Sequence, residues 1–288
     1  MDENDILLKA EEKRAKRKIT VKKVVLTTAF TVALCVLLFS LFQIINQLID
    51  EHEQSSFKNE MIDEGIQKIV PGQDSMSESG ASNDPSQGDT APVVVDPALL
   101  PDITVDFSTL ASRYPGIVGW LYRKDEEVHD PVMQATNNDY YLHRLPNGKW
   151  NPAGSLFLDY RDSAALAGWN EFIYGHNMLN GSMFGFLHDY RKAGYVTEHP
   201  YLFYFTPEKT YRLEVFAAVL TVADSYFYTR PSTDAERESY LSEVRRRSVI
   251  STDVAVSAAD SLMILSTCAG DINGPERLIV LTKLVPIS

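Results

Sequence analysis

Cys268 closes the run Ser261-Leu-Met-Ile-Leu-Ser-Thr-Cys268, and Arg277 opens the next such run, Arg277-Leu-Ile-Val-Leu-Thr-Lys-Leu284. A cysteine nucleophile acts as a thiolate, needs a partner that moves protons, and needs positive charge where an oxyanion forms on a carbonyl. Of the six histidines, His176 is best placed for the proton. It follows Glu171-Phe-Ile-Tyr-Gly175 and precedes Asn177-Met-Leu-Asn-Gly181, at a passage from strand to loop. Arg277 offers a permanent charge in a planar fork, and a hairpin closed by the loop 269–276 would return that fork toward Cys268. Each residue also has a plainer reading: a small core cysteine, an arginine capping a sheet edge. His129, His143, His188 and His199 read as surface histidines, and His52 falls in a tether. No His-Glu-x-x-His or clustered Cys/His pattern is present, so a zinc site is not expected.

The elements that must position these residues are mostly strands. Runs of β-branched and aromatic residues bounded by turn residues occur at 118–122, 154–159, 171–174, 201–205, 211–221, 261–267 and 277–284. Three stretches read as helical instead: 103–114 with Asp106 or Ser108 as cap, 182–190, and the amphipathic 233–245. Seven or more strands with so few helices predict a β-barrel or sandwich. There is no internal repeat, no βαβ alternation and no Gly-rich phosphate loop.

Ahead of this domain the chain changes character twice. Residues 24–42 carry no charge, and Ile44, Ile45, Leu48 and Ile49 extend the run. That length matches the roughly 20 residues a helix needs to cross a bilayer core. Lys13-Arg-Ala-Lys-Arg-Lys18 and Lys22-Lys23 precede it, and Asp50-Glu51-His52-Glu53 follows, an asymmetry that keeps the N-terminus cytoplasmic and the bulk of the chain outside. A cleaved signal sequence fits less well, because the run is long and no Ala-x-Ala pattern follows it. The expected organisation is a basic cytoplasmic segment (1–23), a single-pass anchor (24–49), an extracytoplasmic flexible stalk (50–96) rich in Ser, Gly, Asp and Pro, and one domain (97–288). Cys35 lies within the anchor, so Cys268 would have no partner in its own chain, and an unpaired thiol outside a membrane favours a reactive role. The first 50 residues carry eight Lys/Arg against six Asp/Glu, whereas the whole chain has net charge −12. The main domain is therefore acidic, which argues against nucleic acid as a partner.

Several of these stretches together resemble the class B sortases. They are Tyr174-Gly-His-Asn-Met178, Gly181-Ser-Met-Phe-Gly185, Leu265-Ser-Thr-Cys268 and Arg277, supported by Gly116-Ile-Val-Gly-Trp120, Asn138-Asp-Tyr-Tyr-Leu142 and Gly154-Ser-Leu-Phe-Leu-Asp159. The resemblance covers the chain from about residue 106 to its end. It implies an eight-stranded sortase β-barrel with an inserted helix at 233–245, and cysteine transpeptidase activity on a Gram-positive cell surface without metal or organic cofactor. It further implies Cys268 as nucleophile, His176 as general acid/base and Arg277 as oxyanion and substrate stabiliser. Ser266 and Thr267 match small residues beside the cysteine that line the peptide groove, and Tyr174 and Asn138 are further substrate-binding candidates. The implied partners are secreted proteins with a C-terminal sorting motif, with a peptidoglycan precursor or a pilin lysine as acceptor. Asp271 and Glu276 lie near the expected site and read as loop polarity. The pilin-polymerase alternative shares this chemistry. A non-catalytic tethered binding module would not require all three residues, and a papain-like protease would place its cysteine at the head of a helix.

Overall fold

The computed structural model describes residues 3–69, 99–125, 128–178, 180–268 and 274–287, with the backbone alone described at 3–12, 15, 19, 20 and Cys268. The elements in chain order are α1 (Glu3–Gly65), β1 (Ile66–Lys68), β2 (Ile103–Val105), α2 (Phe107–Arg113), β3 (Ile117–Tyr122), β4 (His129–Met133) and β5 (Leu156–Leu158). They continue with β6 (Asn170–Tyr174), α3 (Tyr195–Glu198), β7 (Tyr201–Phe205), β8 (Thr210–Val222), α4 (Asp234–Arg247), β9 (Leu262–Cys268) and β10 (Glu276–Pro286). The chain divides into two units, residues 1–53 and 54–288.

In the first unit the apolar run is helical and its large side chains are exposed, Leu26 at 73% and Phe30 at 68%, so this is no core helix. It belongs to a helix long and apolar enough to cross a membrane.

The second unit is a closed barrel of eight strands in the order β10-β8-β7-β3-β4-β5-β6-β9. Neighbours are antiparallel except β4–β5 and β6–β9, which are parallel. Side chains alternate across a strand, and here both faces are covered, which is why β9 reads as an unbroken apolar run. Met263 and Leu265 of β9, with Leu278 and Val280 of β10 and Ile173 of β6, fill the lumen. Leu262, Ile264, Ile279, Phe172 and Val219 face outward into a second layer closed by Tyr240, Leu241 and Val244 of α4. The start of α4 is fixed by a capping box, in which Thr233 Oγ1 accepts from the Glu236 amide and the Glu236 carboxylate accepts from the Thr233 amide.

Two elements differ from the pattern in the sequence. Residues 103–105 form a strand rather than the start of a helix, because Ile103–Val105 pairs with Ile66–Lys68; the helix begins after Asp106, whose carboxylate accepts from the Ser108 and Thr109 amides. β4 carries no strand signal, since its sequence is His129-Asp-Pro-Val-Met133. Its polar residues are nonetheless buried, and Trp120 Nε1 donates to His129 Nδ1 at 2.9 Å. His129 is thus a satisfied core histidine rather than a surface one. The segment 54–68, placed in the stalk by its polarity, packs on the barrel: Met61 is fully buried among Leu110, Tyr114 and Trp120, and Arg113 pairs with Glu60 and Glu64. The remainder of the expected stalk, 70–96, lies outside the described residues.

Candidate active site

Backbone pairing brings two of the three proposed catalytic positions together. In the antiparallel β9–β10 ladder Arg277 is directly opposite Cys268. On the other edge of β9 the parallel pairing with β6 sets Tyr174 opposite Ser266, and the Gly175 amide donates to the Ser266 carbonyl at 3.2 Å. β6 ends at Tyr174, two residues before His176, and β9 ends at Cys268, two residues after Ser266. The loop residues 269–273 that complete the hairpin, Asp271 among them, lie outside the described residues.

The site opens where the α4 layer stops. Along β6, β9, β10 and β8 the outward positions covered by α4 are Phe172, Ile264, Ile279 and Val219. One step toward the strand ends, the same face presents Tyr174, Ser266 and Arg277, and a cleft of about 510 Å³ lies over them. It is lined by His176, Arg277, Ser266, Thr267, Tyr174 and Asn138, every predicted side chain other than that of Cys268. A larger groove of about 830 Å³, bounded by residues such as Arg191, Arg247 and Glu276, shares Ser225 with it but contains no histidine.

The His176 ring is held by a carbonyl: Nε2 lies 2.8 Å from the Leu142 oxygen. A carbonyl only accepts, so Nε2 carries the hydrogen and Nδ1 keeps the lone pair. Burial pulls the imidazole below its usual range; the Leu142 bond opposes this, and the nearby His143 adds to the fall. His176 is therefore neutral at pH 7 with Nδ1 available as a base. Arg277 Nη1 donates to the carbonyls of Gly274 (2.7 Å) and Glu276 (2.9 Å), which anchors the guanidinium beside the hairpin. Nε and Nη2 have no partner among the described residues, leaving donors for an anionic oxygen.

Behind the cleft wall lies a polar network that residue types alone did not single out. Asp159, fully buried, accepts from Arg161 Nε (2.8 Å) and Nη2 (2.6 Å) and from the Tyr174 hydroxyl (3.0 Å). Burial raises its pKa, but the Arg161 hydrogen bonds and charge outweigh this and hold the carboxyl at about 2. The Tyr174, Phe172 and Tyr228 rings stack at interplanar angles of 13° to 24°, and the Tyr228 hydroxyl bonds Ser266 Oγ at 2.8 Å. Ser266 is thereby committed to the wall, whereas the buried Thr267 hydroxyl has no hydrogen-bond partner among the described residues. Asn138 accepts from the Tyr160 amide at 3.0 Å, which fixes its side chain at the cleft. The legible signal for the network was the acidic end of Gly154-Ser-Leu-Phe-Leu-Asp159.

The chain is similar to known proteins along most of this unit. It is 37% identical over 171 residues to sortase B of Listeria monocytogenes, covering 59% of this chain and 70% of the relative. With sortase B of Staphylococcus aureus it shares 31% identity over 184 residues, covering 63% and 75%. The barrel superposes on a Staphylococcus aureus sortase B–substrate complex with a TM-score of 0.61 at 29% identity, covering 64% of this chain and 86% of that one. A Bacillus anthracis protein described as similar to sortase B superposes with a TM-score of 0.59 at 36% identity over 64% and 85%. No protein-family model matches. The fold and these identities make the chain a member of the class B sortases, a transpeptidase of the sortase type.

Proposed function

We propose that this protein is a membrane-anchored cysteine transpeptidase that cleaves a C-terminal sorting motif of secreted proteins and joins them to a cell-wall amine. What supports the reading is the register that sets Arg277 opposite Cys268, together with the one cleft that His176 and Arg277 both line. That a relative, Staphylococcus aureus sortase B, is described in complex with substrate supports a peptide in this cleft.

In this reading the Cys268 thiol gives its proton to His176 Nδ1 and the sulfur attacks a Thr carbonyl of the motif. Arg277 stabilises the oxyanion through Nε–H and Nη2–H. The C–N bond breaks, the leaving amine takes the proton from His176, and a thioester remains. An acceptor amine then attacks the thioester and loses a proton to His176. The sulfur leaves and recovers that proton, so the enzyme is returned unchanged. Tyr174, Ser266, Thr267 and Asn138 line the peptide path.

Residues 24–49 form the membrane span in this proposal, with 1–23 cytoplasmic and the barrel outside, on the strength of the basic cluster at 13–23. Incubation with sorting-motif peptides and an amine acceptor tests the reading. Transfer should be lost in Cys268→Ala and His176→Ala, and transfer that persists in Cys268→Ala would overturn it.

A further inference from the structure

A histidine outside the expected set lies against the catalytic one. The His143 ring is stacked on His176, with centroids 5.3 Å apart and planes inclined by 23°. His143 directly follows Leu142, whose carbonyl holds Nε2 of the same imidazole, so two consecutive residues of the 3-10 turn Tyr141–His143 hold the ring by its edge and its face.

The turn itself is pinned from behind. The Ser155 amide donates to the Tyr141 carbonyl (3.0 Å) and the Asn151 amide to the His143 carbonyl (3.1 Å), while Ser155 Oγ donates to the Arg144 carbonyl (2.8 Å). Gly154 has φ +60°, and a Cβ there would fall 2.3 Å from the Leu142 oxygen and 2.6 Å from that of Tyr141. The backbone thus approaches the turn as only glycine permits.

We propose that His143 is a positioning residue acting through His176: with Leu142 it fixes the ring, and its charge sets the pH at which His176 accepts a proton. The proposal rests on the catalytic role given to His176 above. The other ionisable groups lining the cleft are Asp139, Arg161, Tyr174, Asp224, Tyr228 and Arg277, with Cys268 at the strand end. Arg161 is engaged by Asp159 and Arg277 by carbonyls, and Arg144 turns its guanidinium onto the Tyr140 ring at 4.7 Å. A positive charge on His143, stacked on the His176 ring, opposes a proton there. At 5.3 Å in a water-like dielectric, a full charge on the exposed His143 depresses the His176 midpoint by about half a pH unit.

The test is an NMR titration of the full chain in detergent, labelled on histidine, for wild type, His143→Phe and His143→Lys. Phe keeps a ring without charge, and Lys keeps a charge without a ring. The His176 midpoint should be highest in His143→Phe, lowest in His143→Lys and intermediate in wild type, with Phe and Lys separated by about half a pH unit. Equal midpoints in the three proteins, or the reverse order, would overturn the proposal. The pH–rate profile of transfer separates this from the parent reading. If the midpoints move as expected but the profile does not, His143 still tunes His176, and it is the role of His176 in the reaction that fails.

Discussion

Arg277 faces Cys268 across the β9–β10 ladder, and its guanidinium is anchored at the same hairpin by the Gly274 and Glu276 carbonyls. One nitrogen holds the fork in place while two others remain for a substrate oxygen, a division of labour that an ammonium cannot reproduce. Arg277→Lys should therefore lower kcat for transfer by about 10²-fold with little change in KM, as expected for a donor used chiefly in the transition state. Thermal unfolding should be unchanged, because the side chain is partly exposed. Steady-state kinetics beside a melting curve check both.

The carboxylate of Asp159 joins Arg161 to the Tyr174 hydroxyl beneath the cleft. Its folded pKa of about 2 lies below the usual carboxylate value, so it contributes stability that is present above about pH 4 and lost as pH falls through 2. Replacement by Asn should cost about 2 kcal/mol at pH 7 and much less at pH 2. Denaturant titrations of both proteins at the two pH values give the comparison; a penalty independent of pH would contradict the ionic account.

His176 titrates with the opposite sign to an imidazole stabilised as a cation. Its folded pKa is depressed by burial, so the unfolded chain binds the proton more tightly. Stability is then lost as pH falls through about 6.5, the ordinary histidine value, toward the lower folded one. His176→Phe should flatten that acid limb. The slope of unfolding free energy between pH 7 and 5, wild type against variant, reads the effect.

Met61, at the end of α1, is fully buried against α2 and β3 although it lies in a segment of polar composition. Met61→Ala should destabilise the barrel unit by about 2–4 kcal/mol through the cavity it leaves. A fragment beginning at residue 54 should likewise melt higher than one beginning at residue 99. Equal melting temperatures would show the docked helix to be dispensable.

Much of this molecule was legible because its signals are local. The apolar runs at 201–205, 211–221 and 261–267 became β7, β8 and β9, and the amphipathic stretch 233–245 became α4. β4 was not legible, since His129-Asp-Pro is polar for reasons of tertiary pairing with Trp120 and of burial between strands. The docked segment 54–68 escaped for the same reason: a single row of residues such as Phe57 and Met61 contacts the barrel while the rest of each turn stays polar. The site divides similarly. His176 and Arg277 could be picked out by type and neighbourhood, but Asp159 and His143 matter through contacts 15 and 33 residues away in sequence, which no spacing rule encodes.

The central claim is that Cys268 carries the acyl group. Intact-protein mass spectrometry of the full chain, quenched in acid after mixing with a sorting-motif peptide and no amine acceptor, measures this directly. The account predicts an adduct equal to the N-terminal cleavage fragment, released by hydroxylamine and mapped to the peptide containing Cys268. Peptide cleavage proceeding at full rate in Cys268→Ala, or an adduct mapped to another residue, would contradict it.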